Sequence, residues 1–327
     1  MWLWAVVLCA AVPGPSAAQA PTADLASQGW WTSDFLVDYS IVLAGTSGYL
    51  VGERLAPRAV PLLGPAYAPD DPVPIFTDPD VSEPHLDRST VPRRWIHGLL
   101  VAGGLLAAGL ESGHLAWGNG SQRRLHDTAV GYMEAVAVTA AVTSLTKPWV
   151  GRLRPDFGER ARRHHCFQTG DAYGDVCRGW RDDPLAVDPE EAARLLDDGR
   201  RSFPSGHASH SFNLLGYLAL VVGGRYVWGE GAEGTGRWVG GASQAALLGT
   251  AGWISGTRVA DGRHHLSDVL AGAALGLATA NVSYWRRFGT DGTLRGSRAE
   301  GDSRMTRDTT HPGAGFPGVL LTVTLHP

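Results

Sequence analysis

Six apolar stretches, at roughly 35–52, 95–117, 128–146, 208–228, 239–257 and 266–285, limit what this 327-residue chain can become. Several approach the ~20 residues that cross a ~30 Å hydrocarbon layer as a helix. In such a layer a segment must satisfy its own backbone hydrogen bonds, which selects helices here. The expected fold is all-α, a multi-span transmembrane bundle of about six helices. Gly and Ala within the stretches, as in Gly103-Gly104 or Gly272-Ala-Ala-Leu-Gly276, let helices approach closely. Trp95, Trp117, Trp228 and Trp285 stand at segment ends, where an aromatic belt lies. The stretches carry few charges, and Asp38, Glu111 and Glu134 are exceptions. A mean hydropathy of −0.08 is low for a bundle because polar loops at 53–94, 155–203 and 286–316 dilute the average. A soluble domain with buried helices is the alternative. The net charge of −4 gives no reason to expect a nucleic-acid partner.

The chain divides around these stretches. Residues 1–20 read as a secretory signal peptide, a short apolar core followed by small residues up to Ala20. Residues 21–94 form an N-terminal segment with a candidate first helix and a Pro-rich loop. The main domain is 95–285, with a polar insertion at 156–201 in which a short amphipathic helix is expected from Pro189. Residues 286–327 are expected to be a disordered tail, with Gly318–Leu325 reading as a strand. Loss of the leader removes Cys9 and leaves Cys166 and Cys177 in one polar loop, which reads as a disulfide in an oxidising compartment. Metal binding with His164 and His165 is the weaker alternative, since no second ligand pair of the right spacing follows.

Arginines suggest an orientation. Arg123-Arg124 sits in the short loop between 95–117 and 128–146, and Arg286-Arg287 follows the last stretch, so both belong in the cytoplasm. Lys147, His207 and Arg258 then face the opposite side. One conflict arises: with a cleaved leader and a crossing at 35–52 these residues face inward. Either 35–52 does not cross or the leader is not a signal peptide.

Three polar clusters lie at the outer ends of the stretches, and each suits an anion. Lys147 and Arg154 pair a point charge with a planar fork that matches two phosphate oxygens. Pro148 suggests a helix end, so the two flank a turn. Pro204-Ser205-Gly206-His207 precedes an apolar helix, whose first N–H groups are unsatisfied and point outward. Gly206 admits close approach, Ser205 adds a hydroxyl, and His207 can protonate a leaving oxygen. In the third cluster Arg258 precedes His264 and Asp268, which fall four residues apart on one face of a helix start. A carboxylate that fixes one imidazole nitrogen leaves the other as a nucleophile. Taken singly, the clusters also read as a lipid-facing basic patch, a helix cap and a surface salt bridge. By spacing alone His265 rivals His264.

Together these residues resemble the type 2 phosphatidic acid phosphatase (PAP2) superfamily. Its signature is a lysine, six residues and Arg-Pro, then Pro-Ser-Gly-His, then Ser-Arg, five residues, His, three residues and Asp. Lys147, Arg154-Pro155, Pro204-Ser205-Gly206-His207, Arg258, His264 and Asp268 match it, and Thr257 stands where the pattern has Ser. The resemblance implies a membrane lipid phosphate phosphatase acting through a phosphohistidine on His264, oriented by Asp268, with His207 as the acid. Lys147, Arg154, Ser205, Gly206 and Arg258 are then the phosphate holders, and no metal or cofactor is implied. It also selects His264 over His265. The expected substrate is a phosphomonoester or diphosphate lipid, phosphatidic acid-like or an isoprenoid diphosphate, taken among membrane lipids at the periplasmic face of a bacterial inner membrane. A soluble periplasmic acid phosphatase or haloperoxidase relative, and a non-catalytic lipid-phosphate binder, are the two alternatives.

Overall fold

The structure, a computed structural model, describes residues 33–55, 89–117, 121–158, 160–161, 164, 189–229 and 232–295. The leader, the cysteine pair and residues 296–327 lie outside these residues, whereas 286–295, expected to belong to a disordered tail, are ordered because Phe288 and Leu294 are buried in the main core. Residues 1–37 form one unit, of which only Ser33–Val37 is described, and 38–327 form the other, which holds the site.

Seven helices occur among the described residues: α1 (Ser33–Arg54), α2 (Arg93–Ala116), α3 (Gln122–Val150), α4 (Pro189–Gly199), α5 (Gly206–Tyr226), α6 (Gly234–Ala260) and α7 (Leu266–Arg287). No strand appears among them, only a bridge between Phe288 and Leu294. Six helices match the six apolar stretches, and α4 starts at Pro189. Helices α1, α2, α3 and α7 are long and apolar enough to cross a membrane. Helix α5 is the packing centre instead. Its Leu214, Leu215, Tyr217, Leu218 and Val221 are buried and contribute to the main core with Tyr132, Ile254 and Tyr284.

Small residues set the closest approaches. A β-carbon on Gly272 would lie 2.6 Å from the Ser205 carbonyl oxygen, and one on Gly276 2.2 Å from that of Ser209. Thus α7 crosses α5 backbone on backbone at the Gly272 and Gly276 pair, and only glycine fits there. Gly45 and Gly52 of α1 meet the backbone of Ala137 and Ser144 in the same way, so α1 runs parallel to α3 between Gly45 and Gly52.

The acidic residues Asp38, Glu111 and Glu134 are buried and paired at the end of the bundle opposite the clusters. Glu111 takes Arg124 and Arg225, while Asp38 and Glu134 both take Arg286 and Arg287, with Arg287 at 2.8 and 2.6 Å respectively. Buried charges survive in such surroundings when each finds its partner. The segment-end tryptophans divide: Trp95 and Trp117 are exposed, whereas Trp228 and Trp285 pack on each other at 6.0 Å.

Candidate active site

The site collects the C-terminal ends of α3 and α6 and the N-terminal ends of α5 and α7. Helix α3 continues through Pro148 and stops at Gly151, whose φ of 60° a residue with a β-carbon adopts only with strain. Lys147, the only lysine of the chain, lies in that last turn. A β-carbon on Gly206 would stand 3.2 Å from its Nζ, so the bare glycine lets the ammonium rest against the start of α5. Lys147 and Arg154 flank the turn.

Arg154 is held by the end of α4. Its Nε donates to the Asp198 carbonyl and its Nη2 to Asp198 Oδ1, both at 2.9 Å, and its backbone N–H donates to Gly199. Burial draws the Arg154 guanidinium down from its usual range while Asp198 pulls the other way. Asp198 also accepts from Arg160, which pairs with Asp156, and Asp156 in turn accepts from Arg263, next to His264. Residues of the insertion therefore brace Arg154.

At the start of α5, Ser205 is fully buried and its hydroxyl has no hydrogen-bond partner, while its backbone N–H donates to the Asp268 carbonyl at 3.0 Å. A buried hydroxyl without a partner costs free energy unless something fills the place. At the end of α6, Arg258 donates to Ser89 Oγ at 3.1 Å and pairs with Asp261. Thr257 spends its hydroxyl on the Ile254 carbonyl of its own helix, so the methyl that distinguishes it from Ser leaves that bond intact. Gly262, at φ 64°, then turns the chain, and the N–H groups of Arg263 and His264 both return to the Arg258 carbonyl.

His264 and Asp268 are together, but not as a simple pair. The Nδ1 to Oδ2 distance is 3.8 Å, beyond a hydrogen bond, and Ser202 lies between them. Ser202 Oγ donates to Asp268 Oδ2 at 2.5 Å and is 3.4 Å from His264 Nδ1. Because its proton goes to the carboxylate, Ser202 accepts from His264 Nδ1–H, which leaves Nε2 with its lone pair. Asp268 further accepts from the His265 backbone N–H at 3.1 Å and from Arg152 Nη1 at 2.7 Å. Burial, then the charges of Arg154 and Lys147, push the His264 imidazole down to about 4 against the pull of Asp268, so it is neutral and nucleophilic at pH 7. The rival His265 is occupied: its Nε2–H donates to the Leu153 carbonyl at 3.2 Å.

Two residues of this constellation, Ser202 and Arg152, had no role assigned to them from the sequence. Both stand inside the motif strings, at Ser202-Phe-Pro204 and Gly151-Arg-Leu-Arg154, but only folding brings them onto Asp268.

Residues 128–290 match the model of the PAP2 superfamily. This is a PAP2 superfamily protein. Among curated relatives, the probable diacylglycerol pyrophosphate phosphatase 1 of Schizosaccharomyces pombe is 35% identical over 159 residues, 49% of this chain and 53% of its own. Lipid phosphate phosphatase 2 of Arabidopsis thaliana is 31% identical over 171 residues, 50% of this chain and 52% of its own. Diacylglycerol pyrophosphate phosphatase 1 of Saccharomyces cerevisiae is 34% identical over 166 residues, 50% of this chain and 53% of its own. This chain spans about half the length of these relatives. No solved structure matches it significantly. With four helices able to cross a membrane, this PAP2 chain is an integral membrane protein.

Proposed function

We propose that this protein hydrolyses a lipid phosphate, a phosphomonoester or diphosphate, through a phosphohistidine on His264. The observation that carries the reading is the neutral, buried His264 with Nδ1 fixed by Ser202 and Asp268, among Lys147, Arg154 and Arg258. Phosphoryl transfer spreads negative charge over three equatorial oxygens, and fixed cations and N–H groups aimed at them lower its barrier. Lys147, Arg154, Arg258, the unpartnered Ser205 hydroxyl and the first N–H groups of α5 supply that set. His264 Nε2 attacks phosphorus, the ester bond breaks, and His207 gives the leaving oxygen its proton. Water then attacks the phosphohistidine and His207 takes a proton back. The cations do what a metal does elsewhere, so turnover is expected to survive chelation.

The exposed apolar side chains along α2 and α6, Leu105, Leu106, Trp238 and Trp253 among them, favour a lipid-embedded enzyme over a soluble acid phosphatase. The site faces away from the cytoplasm in this reading. Arg123, Arg124, Arg286 and Arg287 gather at the end of the bundle opposite His264, and α1 runs beside α3 as a crossing helix would. The relatives named are fungal and plant proteins, so the face is assigned without a bacterial compartment.

The test is phosphate release from lipid mono- and diphosphates by purified protein in chelator, with His264→Ala beside it. Sealed vesicles of known sidedness add the orientation. Turnover by wild type, none by His264→Ala, and access from the non-cytoplasmic side are expected. Full activity of His264→Ala, or a requirement for metal, would sink the reading.

A further inference from the structure

Three residues outside the PAP2 match, Ser89, Thr90 and Val91, reach the site from the segment that leads into α2. The Val91 carbonyl accepts from His207 Nε2 at 3.1 Å and from Ser89 Oγ at 3.1 Å. Ser89 Oγ accepts in turn from Arg258. Thr90 is clamped to Asp261 twice, by its N–H to Oδ2 at 3.0 Å and by its hydroxyl to Oδ1 at 2.7 Å. Asp261 also pairs with Arg258, so the clamp is anchored to the phosphate-binding end of α6.

A carbonyl oxygen can only accept, so His207 Nε2 carries a proton in both ionisation states. The only nitrogen of His207 that can gain or lose a proton during turnover is then Nδ1. We propose that the Ser89–Val91 segment is the positioning element of the acid: the Val91 carbonyl fixes His207 so that Nδ1 exchanges the proton, and Thr90, held by Asp261, keeps that carbonyl in place. Val91 does for His207 what Ser202 and Asp268 do for His264. In the first step His264 Nε2 bonds to phosphorus, the bond from phosphorus to the ester oxygen breaks, and the Nδ1 proton of His207 passes to that oxygen. In the second, water oxygen bonds to phosphorus, the phosphorus–nitrogen bond breaks with its electron pair returning to His264, and a water proton goes to His207 Nδ1. The arriving phosphate supplies the negative charge that lets His207 hold its second proton.

The inference rests on the phosphatase reading, and leaving groups separate the two. A lipid alkoxide needs the proton, whereas p-nitrophenolate is a stable anion that leaves without it. Thr90 is exposed, and Thr90→Val keeps its shape while deleting the 2.7 Å bond to Asp261. Loss of a hydrogen bond to a carboxylate is expected to lower kcat on a lipid phosphate about tenfold. On p-nitrophenyl phosphate the same variant stays within about twofold of wild type, and Thr90→Ser restores lipid turnover. An equal fall on both substrates, or no fall on either, overturns the positioning role while the phosphatase reading stands. Failure of wild type to release phosphate from either substrate overturns the phosphatase reading itself.

Discussion

His264 is kept neutral by burial among cations, and that choice has a measurable consequence for stability. The free imidazole titrates at 6.5 and the folded one at about 4, so between these values the unfolded chain binds a proton that the folded chain refuses. The contribution of neutral His264 is complete above pH 6.5 and is lost as the pH falls toward 4. Thermal unfolding in detergent is therefore expected to shift downward more steeply over that window for wild type than for His264→Asn, which cannot titrate. Equal slopes would show that the imidazole is not held neutral. At this scale the sequence revealed the groups that the fold gathers at one end of the bundle, because Lys147, Arg154, His207, Arg258, His264 and Asp268 stand at fixed spacings. It did not reveal Ser202 between His264 and Asp268, Arg152 on Asp268, Asp198 on Arg154 or Thr90 on Asp261. Those pairs are separated by 44 to 171 residues and exist only once helices pack.

Between elements, the spacing of the catalytic halves depends on glycine. Ser205 to His207 open α5, His264 to Asp268 open α7, and the two helices touch through Gly272 and Gly276. A side chain at either glycine must push the helices apart, and overpacking of this kind costs roughly 1–3 kcal/mol. Gly276→Val touches no substrate, yet it is expected to lower kcat by more than tenfold while folded protein is still recovered. Wild-type turnover in that variant would show that the α5 and α7 distance does not set the geometry. The Gly272-Ala-Ala-Leu-Gly276 pattern announced close packing but not which helix it meets. Element ends were less legible for a local reason. Pro148 suggested a stop that the helix passes, since the turn before it tolerates the lost N–H bond and Gly151, not Pro148, supplies the left-handed end.

Across the whole molecule, six helices alternate in direction and sort the charges. One end gathers Lys147, Arg154, Arg258 and His264, and the other buries Asp38, Glu111 and Glu134 against Arg124, Arg225, Arg286 and Arg287. Apolar stretches made the bundle readable in advance, while the three acidic residues looked like flaws until their partners were placed. Their pairing explains how charge is tolerated inside stretches that face lipid. The same sorting leaves His264 as the one buried imidazole at the site with a fixed Nδ1 and an Nε2 lone pair, beside cations that suit phosphate. Rapid quenching of turnover with a lipid phosphate labelled in its phosphoryl group tests this most directly. A label that is acid-labile, stable in base, located on His264 by peptide mass and absent from His264→Ala is the predicted result; turnover with no such adduct, or a label on another residue, would contradict it.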